Sequence, residues 1–445
     1  MSSSLNRFHR TAFVAVVALL MSVLIGTAVG SSAEATTSEG LECESNAGNA
    51  FTLTATTGYI LTPDGNSLFM WGYAGDSGMF QLPGPTLCVP EGATVTVTLK
   101  NQLPEDTSVM FPSQTGVLAD GQPVQPVVSG TGQLTSLVKP ATKNGGTVTY
   151  SFLASRPGTY LYQSGTDVSK QTQMGLYGAL IVRPTSDHSA SGTVLDQAYD
   201  DSASAFDPKH EYLHLLSEID PAFHQAVERK QPFNLATLHP RYFLINGRSM
   251  PDTLAPNDAA WLPAQPYGAI VHIQPKDPAD TAFRPALIRY LNAGNETFPF
   301  HPHGADQRVI AQDGHSLLAG ASEGSSFLKY LIDIGPGQTV DTTLAWLNVD
   351  DWNPDSNPIP VDVPALQDQI VTPDTWFSQS PYLGYSGAFP TTVTVNNQCG
   401  EYYHVAHSHA LEQATNYGAT FGGMMTLIRI DPPPGTTNHC PAVAP

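Results

Sequence analysis

Two pairs of histidines are spaced so that each could hold a transition metal. His301-Pro302-His303 lies in FPFHPHG and His407-Ser408-His409 in HVAHSHA. Both pairs sit in stretches with a β pattern. Successive side chains of a strand point to opposite faces, so residues i and i+2 share one face. Each pair therefore aims two imidazoles the same way, and two such strands brought together would converge four neutral nitrogen ligands. Imidazole suits copper, zinc, iron and nickel. A single pair reads as a polar patch on a strand; two pairs ask for a metal.

The elements that must position these residues are short strands. Gly (38) and Pro (37) recur in small clusters, as tight turns between many strands require. Thr94-Val95-Thr96-Val97-Thr98-Leu99 and Thr147 to Phe152 alternate cleanly, and Gly178 to Val182 reads as a buried strand. Tyr212 to Leu216, Ala269 to Ile273, Ala286 to Leu291, Thr391 to Val395 and Met424 to Ile430 are further predicted strands. Gly158-Thr159-Tyr160-Leu161-Tyr162 followed by GLYGALIVRP repeats weakly as Gly400-Glu401-Tyr402-Tyr403 followed by GGMMTLIRI. Twin closing strands predict two copies of one β-sandwich. The expected fold is all-β, with a first sandwich over 45–185, a linker over 186–210, a second sandwich over 211–432 and an irregular tail over 433–445. The Pro- and Asp-rich stretch from Asp350 to Pro364 reads as a long surface loop.

The compartment follows from the N-terminus and the cysteines. Arg7 and Arg10 precede an apolar run from Thr11 to Val29, and Ser31-Ser32-Ala33 offers small residues for cleavage. This reads as a signal peptide over 1–33 and predicts a secreted protein, periplasmic or extracellular, with no membrane association afterwards. The four cysteines predict two disulfides, preferably Cys43–Cys88 and Cys399–Cys440. With 39 acidic against 19 basic residues the net charge is −20. Such a surface disfavours nucleic acid as a partner and attracts cations.

Longer motifs resemble the multicopper oxidase family, built from cupredoxin domains with a Greek-key β-sandwich fold. QLPGPTLCVPEGATVTVTLKN (Gln81 to Asn101), PGTYLYQSG and GLYGALIV resemble its first domain. IRYLNAGNETFPFHPHG (Ile288 to Gly304) and EYYHVAHSHALEQATNYGATFGGMMTLIRI (Glu401 to Ile430) resemble its third and fourth His-rich motifs. The layout resembles the two-domain members. The resemblance implies oxidoreductase ancestry, a copper cofactor and, by analogy, a homo-trimer.

The same resemblance shows what is missing. The family's first motif falls near Ser108-Val109-Met110-Phe111-Pro112 and its second at Gln163-Ser164-Gly165, without a histidine in either. The electron-entry copper would need a thiolate and two imidazoles; its positions are Phe298, Ser408, Gln413 and Gly418. An identical neighbour lacks the same ligands, so homo-oligomerisation cannot restore eight imidazoles. His301, His303, His407 and His409 are thus the predicted metal ligands, for one copper or a reduced cluster, with zinc possible as a substitute. No catalytic residue or substrate is assigned. Three readings follow: a copper-binding relative with atypical or reduced oxidoreductase activity, a metal-free cupredoxin scaffold for protein interaction, and a nitrite-reductase-like copper enzyme.

Other residues carry weaker expectations. His404, His315 and His214 are candidates for extra ligands, although His404 lies an odd number of residues from His407 and so on the opposite face. Glu218, Asp220 and His224 read as a solvated turn rather than a metal cluster. Asp306 and Asp313 are candidates to orient a ligand imidazole. Trp71, Tyr73, Phe80, Trp346 and Trp352 read as packing, and Asn295-Glu296-Thr297 fits a glycosylation acceptor.

Overall fold

The computed structural model describes residues 39–45, 47–276, 280–320, 324–347, 402–419 and 422–431. The expected signal peptide, Cys399, Cys440, the strand from Thr391, the loop from Asp350, Trp352 and the tail from 433 lie outside the described residues.

The alternating segments form the strands they predict, in two cupredoxin-like β-sandwiches. In the first, Ala50–Leu61 pairs antiparallel with Ser67–Ala74 and parallel with Thr94–Asn101, which pairs in turn with Thr147–Leu153. Its second sheet runs Gly158–Gln163, Tyr177–Arg183, Leu87–Pro90. The second sandwich repeats this plan. Glu211–Ile219 pairs antiparallel with Tyr242–Ile245 and parallel with Ala286–Asn292, which pairs with Thr339–Leu344. Its facing sheet runs Val271–Ile273, Met425–Ile430, Tyr402–Ser408, Phe298–Pro302, Ile332–Ile334. The two halves of the sequence repeat are therefore matching hairpins, Gly158–Gln163 with Tyr177–Arg183 and Tyr402–Ser408 with Met425–Ile430.

Each sandwich buries its inward residues in its own core. A third apolar cluster joins the two: Leu213, Leu215 and Leu291 of the second pack with Ile60, Met70, Leu161 and Ala179 of the first. This explains why Glu211–Ile219 is buried at every position; it is covered on both faces. Cys43 and Cys88 form the expected disulfide, closing a sequence separation of 45 residues.

The segment after Arg183 is not a loose polar linker. Tyr199 and Phe206 are buried with Leu287 and Ile310, forming a strap against the second sandwich. The Tyr199 hydroxyl donates to Asp341 Oδ2 at 2.5 Å, and Thr159 Oγ1 of the first sandwich donates to Asp341 Oδ1 at 2.7 Å. Arg289, fully buried, donates to Glu211 Oε1 at 2.8 Å and to Thr159 Oγ1 at 2.9 Å. Ser- and Asp-rich composition hid two aromatic anchors.

Glu218, Asp220 and His224 also depart from expectation. All three are buried, because Pro221–Glu228 is a helix packed on the first sandwich rather than a solvated turn. Asp220 caps that helix, accepting from Ala222 N at 2.8 Å. His224 Nδ1 bonds the Phe69 carbonyl at 2.7 Å, and Glu218 Oε1 accepts from Asn295 N at 2.7 Å. They are structural groups, and no metal cluster forms there. Asn295 spends its side-chain amide on Gln173 Oε1 at 2.6 Å.

Burial pushes the Glu218 carboxyl up to about 7, and its Oε2 has no hydrogen-bond partner. A carboxyl raised in the folded state favours folding below its unfolded value near 4.5, and this contribution is lost as pH rises through 7. At 1.36 kcal/mol per unit the penalty above pH 7 approaches about 3 kcal/mol. Glu218→Gln is expected to raise the melting temperature at pH 8 and leave it unchanged at pH 4. An equal effect at both pH values, in thermal melts followed by circular dichroism, would contradict this.

Candidate metal centre

His301 and His407 are directly opposite each other in an antiparallel ladder between adjacent strands of one sheet. Neighbouring strands, rather than strands facing across the sandwich, bring the pairs together. The ladder continues on both sides. His303 N donates to Val405 O at 2.8 Å, and His409 N donates to Pro299 O at 2.7 Å. Opposite residues in a ladder share a face, as do residues two apart. All four imidazoles therefore emerge on the outer face of the sheet, in a diagonal from His303 through His301 and His407 to His409. The same face continues into Tyr403, Val405 and Leu427, which Met250 and Leu254 cover. His409 is exposed, and the other three are half-buried.

The ring spacing fits metal binding. Ring centres lie 4.6 Å apart for His301 and His303, 5.0 Å for His303 and His407, and 5.4 Å for His301 and His409. Imidazoles held at about 2.0–2.1 Å from one tetrahedral ion have ring centres about 5 Å apart. His303 Nε2 and His407 Nε2 are 3.0 Å apart; bonds of about 2.0–2.1 Å from both to a common ion would subtend roughly 90–100°.

Hydrogen bonds orient two of the rings. His301 Nδ1 lies 2.6 Å from the Tyr330 carbonyl oxygen, and His407 Nδ1 lies 2.6 Å from the Ser408 carbonyl oxygen. A carbonyl accepts only, so each Nδ1 carries the proton and each Nε2 keeps its lone pair. Burial and the neighbouring rings push His303 down to about 4, and burial also lowers His407. Both are neutral at pH 7, as ligands must be. The orienting role of Tyr330 was not legible in the sequence, since it acts through its backbone oxygen and sits 29 residues from His301.

The other candidates lie elsewhere. His404 is buried on the core side with its ring 4.5 Å from that of Trp346. His214 is buried and bonds the Ala269 carbonyl at 2.9 Å. His315 is exposed beside Arg156, with 3.0 Å between their nitrogens. Asp313 accepts from Thr339 N at 2.9 Å in a turn, and Asp306 is exposed.

The positions that resemble the electron-entry site do not fit copper. Ser408 points to the core face, and its hydroxyl donates to Gln413 Oε1 at 2.6 Å. Gln413 Nε2 donates to Glu296 Oε2 at 2.9 Å, and Phe298 is fully buried. A closed hydrogen-bonded chain and an aromatic ring stand where thiolate and imidazoles would be required. The first sandwich is similar. Met110 and Gln163 exchange backbone hydrogen bonds at 2.8 and 3.1 Å, so the two ligand-free segments do lie side by side. Ser108 Oγ accepts there from Gly165 N at 3.0 Å and from Thr166 Oγ1 at 2.9 Å. Hydroxyls satisfy one another where imidazoles would stand.

Comparison with known proteins bears on the fold and on the first sandwich. Residues 61–187 match the multicopper oxidase family model. A multicopper oxidase of Talaromyces pinophilus is 34% identical over 122 residues, covering 27% of this chain and 18% of that protein. Copper resistance protein A of Escherichia coli is 27% identical over 255 residues, covering 52% of this chain and 38% of that protein. The chain thus matches well under half the length of these relatives. The blue copper oxidase of Nitrosomonas europaea superposes with a TM-score of 0.53 at 18% identity, covering 85% of both chains. The multicopper oxidase mgLAC does so with a TM-score of 0.52 at 18% identity and the same coverage. At this identity the structures speak for the fold. Among the described residues no helix is long and apolar enough to cross a membrane.

Proposed function

We propose that this chain is a divergent relative of the multicopper oxidases that binds copper through His301, His303, His407 and His409 outside the cytoplasm, with atypical or reduced oxidoreductase activity. The observation that carries the reading is the 3.0 Å approach of His303 Nε2 to His407 Nε2 within a quartet of rings on one sheet face. Burial, with the neighbouring imidazoles, keeps these two rings neutral, and two backbone carbonyls fix the tautomers of His301 and His407. Bound there, copper would supply one-electron redox chemistry or simple storage.

The chain's own residues do three things. His303 and His407 offer the central lone pairs, His301 and His409 flank them, and the exposed side near His409 leaves access for a small molecule or a further ligand. The Ser408–Gln413–Glu296 chain keeps the buried electron-entry position closed, so electrons would have to arrive at the exposed face. Four-electron reduction of oxygen by the usual route needs that entry site and is excluded from the proposal. Zinc is an alternative occupant by its preference for imidazole, and a homo-trimer remains an expectation by analogy with the two-domain layout.

Copper loading of the full chain followed by electron paramagnetic resonance and visible spectroscopy tests this reading. A signal with nitrogen hyperfine structure and no intense blue absorption is expected. An intense blue band would require a thiolate ligand and would contradict it.

A further inference from the structure

Away from the histidine quartet, a cleft of about 820 Å³ opens where the two halves of the chain meet. One wall is the hairpin of Ala50–Leu61 and Ser67–Ala74. Thr57 stands opposite Trp71 in its ladder and so shares its face, as does Phe69, two residues before Trp71. The other wall is the helix Pro221–Glu228 and the turn after it, which belong by sequence to the second sandwich yet pack on the first. They bring up Phe223 and Phe233, whose ring centres lie 5.2 Å apart, edge to face. Ligand sites form preferentially where domains meet, in clefts of roughly 300–1,000 Å³ lined by aromatic rings and a few polar groups.

One group in this cleft lacks the partner its chemistry calls for. Trp71 lines the cleft and is 1% exposed, and its indole N–H has no acceptor among the described residues. A buried indole N–H ordinarily has one. Packing alone would be served as well by a phenyl ring, which leaves no donor unpaired. The charges around Trp71 are spent on one another. Lys170 pairs with Glu105, and its ammonium stands 5.2 Å from the centre of the Trp71 ring, so the place a cationic ligand would take over the indole is filled. Glu228 accepts from the Tyr59 hydroxyl at 2.5 Å, and Asp167 and Lys230 carry opposite charges. The lining therefore selects a neutral molecule.

We propose that this cleft binds a small neutral aromatic molecule bearing a carbonyl oxygen, its ring held among Phe69, Phe223 and Phe233 and its oxygen accepting from Trp71 Nε1. Nε1 is shielded, so lining side chains shift to admit the oxygen, as rotamers at binding surfaces commonly do. The bond satisfies a donor that otherwise stays unpaired, which favours an oxygen-bearing ring over a plain hydrocarbon of the same size. Because each half supplies one wall, an occupant also ties the helix Pro221–Glu228 to the first sandwich and stabilises the fold by mass action. The site is independent of the copper reading, because it shares no residue with the quartet.

Equilibrium dialysis of the full chain against coumarin, a neutral fused aromatic with one ring carbonyl, and against naphthalene, a fused aromatic of similar size without oxygen, tests the site. Saturable binding of one coumarin per chain is expected, about tenfold tighter than naphthalene, with a rise in melting temperature. Trp71→Phe keeps an aromatic ring and removes the donor. It should weaken coumarin to the level of naphthalene and leave naphthalene unchanged, whereas a merely structural role for Trp71 would shift both alike. Phe233→Ala, at a partly exposed position, should weaken both ligands. Should the Trp71→Phe chain not fold, the preference for coumarin in the unaltered chain and its loss of affinity in Phe233→Ala decide the matter. No saturable coumarin binding, equal affinity for the two ligands, or affinities unmoved by these substitutions in folded protein overturns the site.

Discussion

Replacing Arg289 by Leu is expected to destabilise the protein by about 3–5 kcal/mol, enough to unfold a marginally stable chain. Arg289 is fully buried, and it pairs with Glu211 at 2.8 Å and with Asp341 at 3.4 Å. Removing it leaves two buried carboxylates facing each other without their shared cation. Burial tends to raise both; the Arg289 and Arg183 charges hold Glu211 low despite it, while burial wins at Asp341. Asp341 would then have to take up a proton or draw in water, while Glu211 would keep Arg183 alone, 2.7 Å away. The loss should also spread beyond one sandwich, because Asp341 accepts from Thr159 of the first sandwich and from Tyr199 of the strap. Urea unfolding of the variant checks this. A loss below about 1 kcal/mol, the range of a surface pair, would show that the network contributes little.

Replacing His303 and His407 together by Ala is expected to weaken copper binding by at least a hundredfold, about 2.7 kcal/mol at 1.36 kcal/mol per decade. Replacing His409 alone should cost far less. The reason is placement: the Nε2 atoms of His303 and His407 already stand 3.0 Å apart, half-buried, whereas His409 is exposed at the end of the diagonal. Proton competition follows the same order. His303, held down to about 4, is neutral at neutral pH and gives way to protons only as pH falls towards that value. A folded-state value below the unfolded 6.5 also means that the neutral ring favours folding above 6.5, a contribution lost as pH falls through about 4. Competition titrations with a chromophoric chelator measure these affinities. If His409→Ala costs as much as the double variant, the diagonal arrangement is misread.

Much of this was legible before any coordinates. The i, i+2 spacing of both His-x-His pairs put two imidazoles on one strand face, and antiparallel pairing of His301 with His407 did the rest. The alternation of Thr94 to Leu99 and the twin closing hairpins gave the two sandwiches. Composition misled where a few residues outweigh many. Tyr199 and Phe206 anchor a strap that is otherwise Ser-, Asp- and Ala-rich. Glu218, Asp220 and His224 looked solvated because they are charged or polar, yet the helix that follows carries them into the interior. The carbonyl of Tyr330 could not have been found from side-chain chemistry.

The most direct measurement is copper content after loading and exhaustive dialysis of the full chain beside H301A/H303A/H407A/H409A, both checked for folding by circular dichroism. The account predicts copper retained by the unaltered chain and lost from the fourfold variant. Equal copper in both, or none in either, would contradict it.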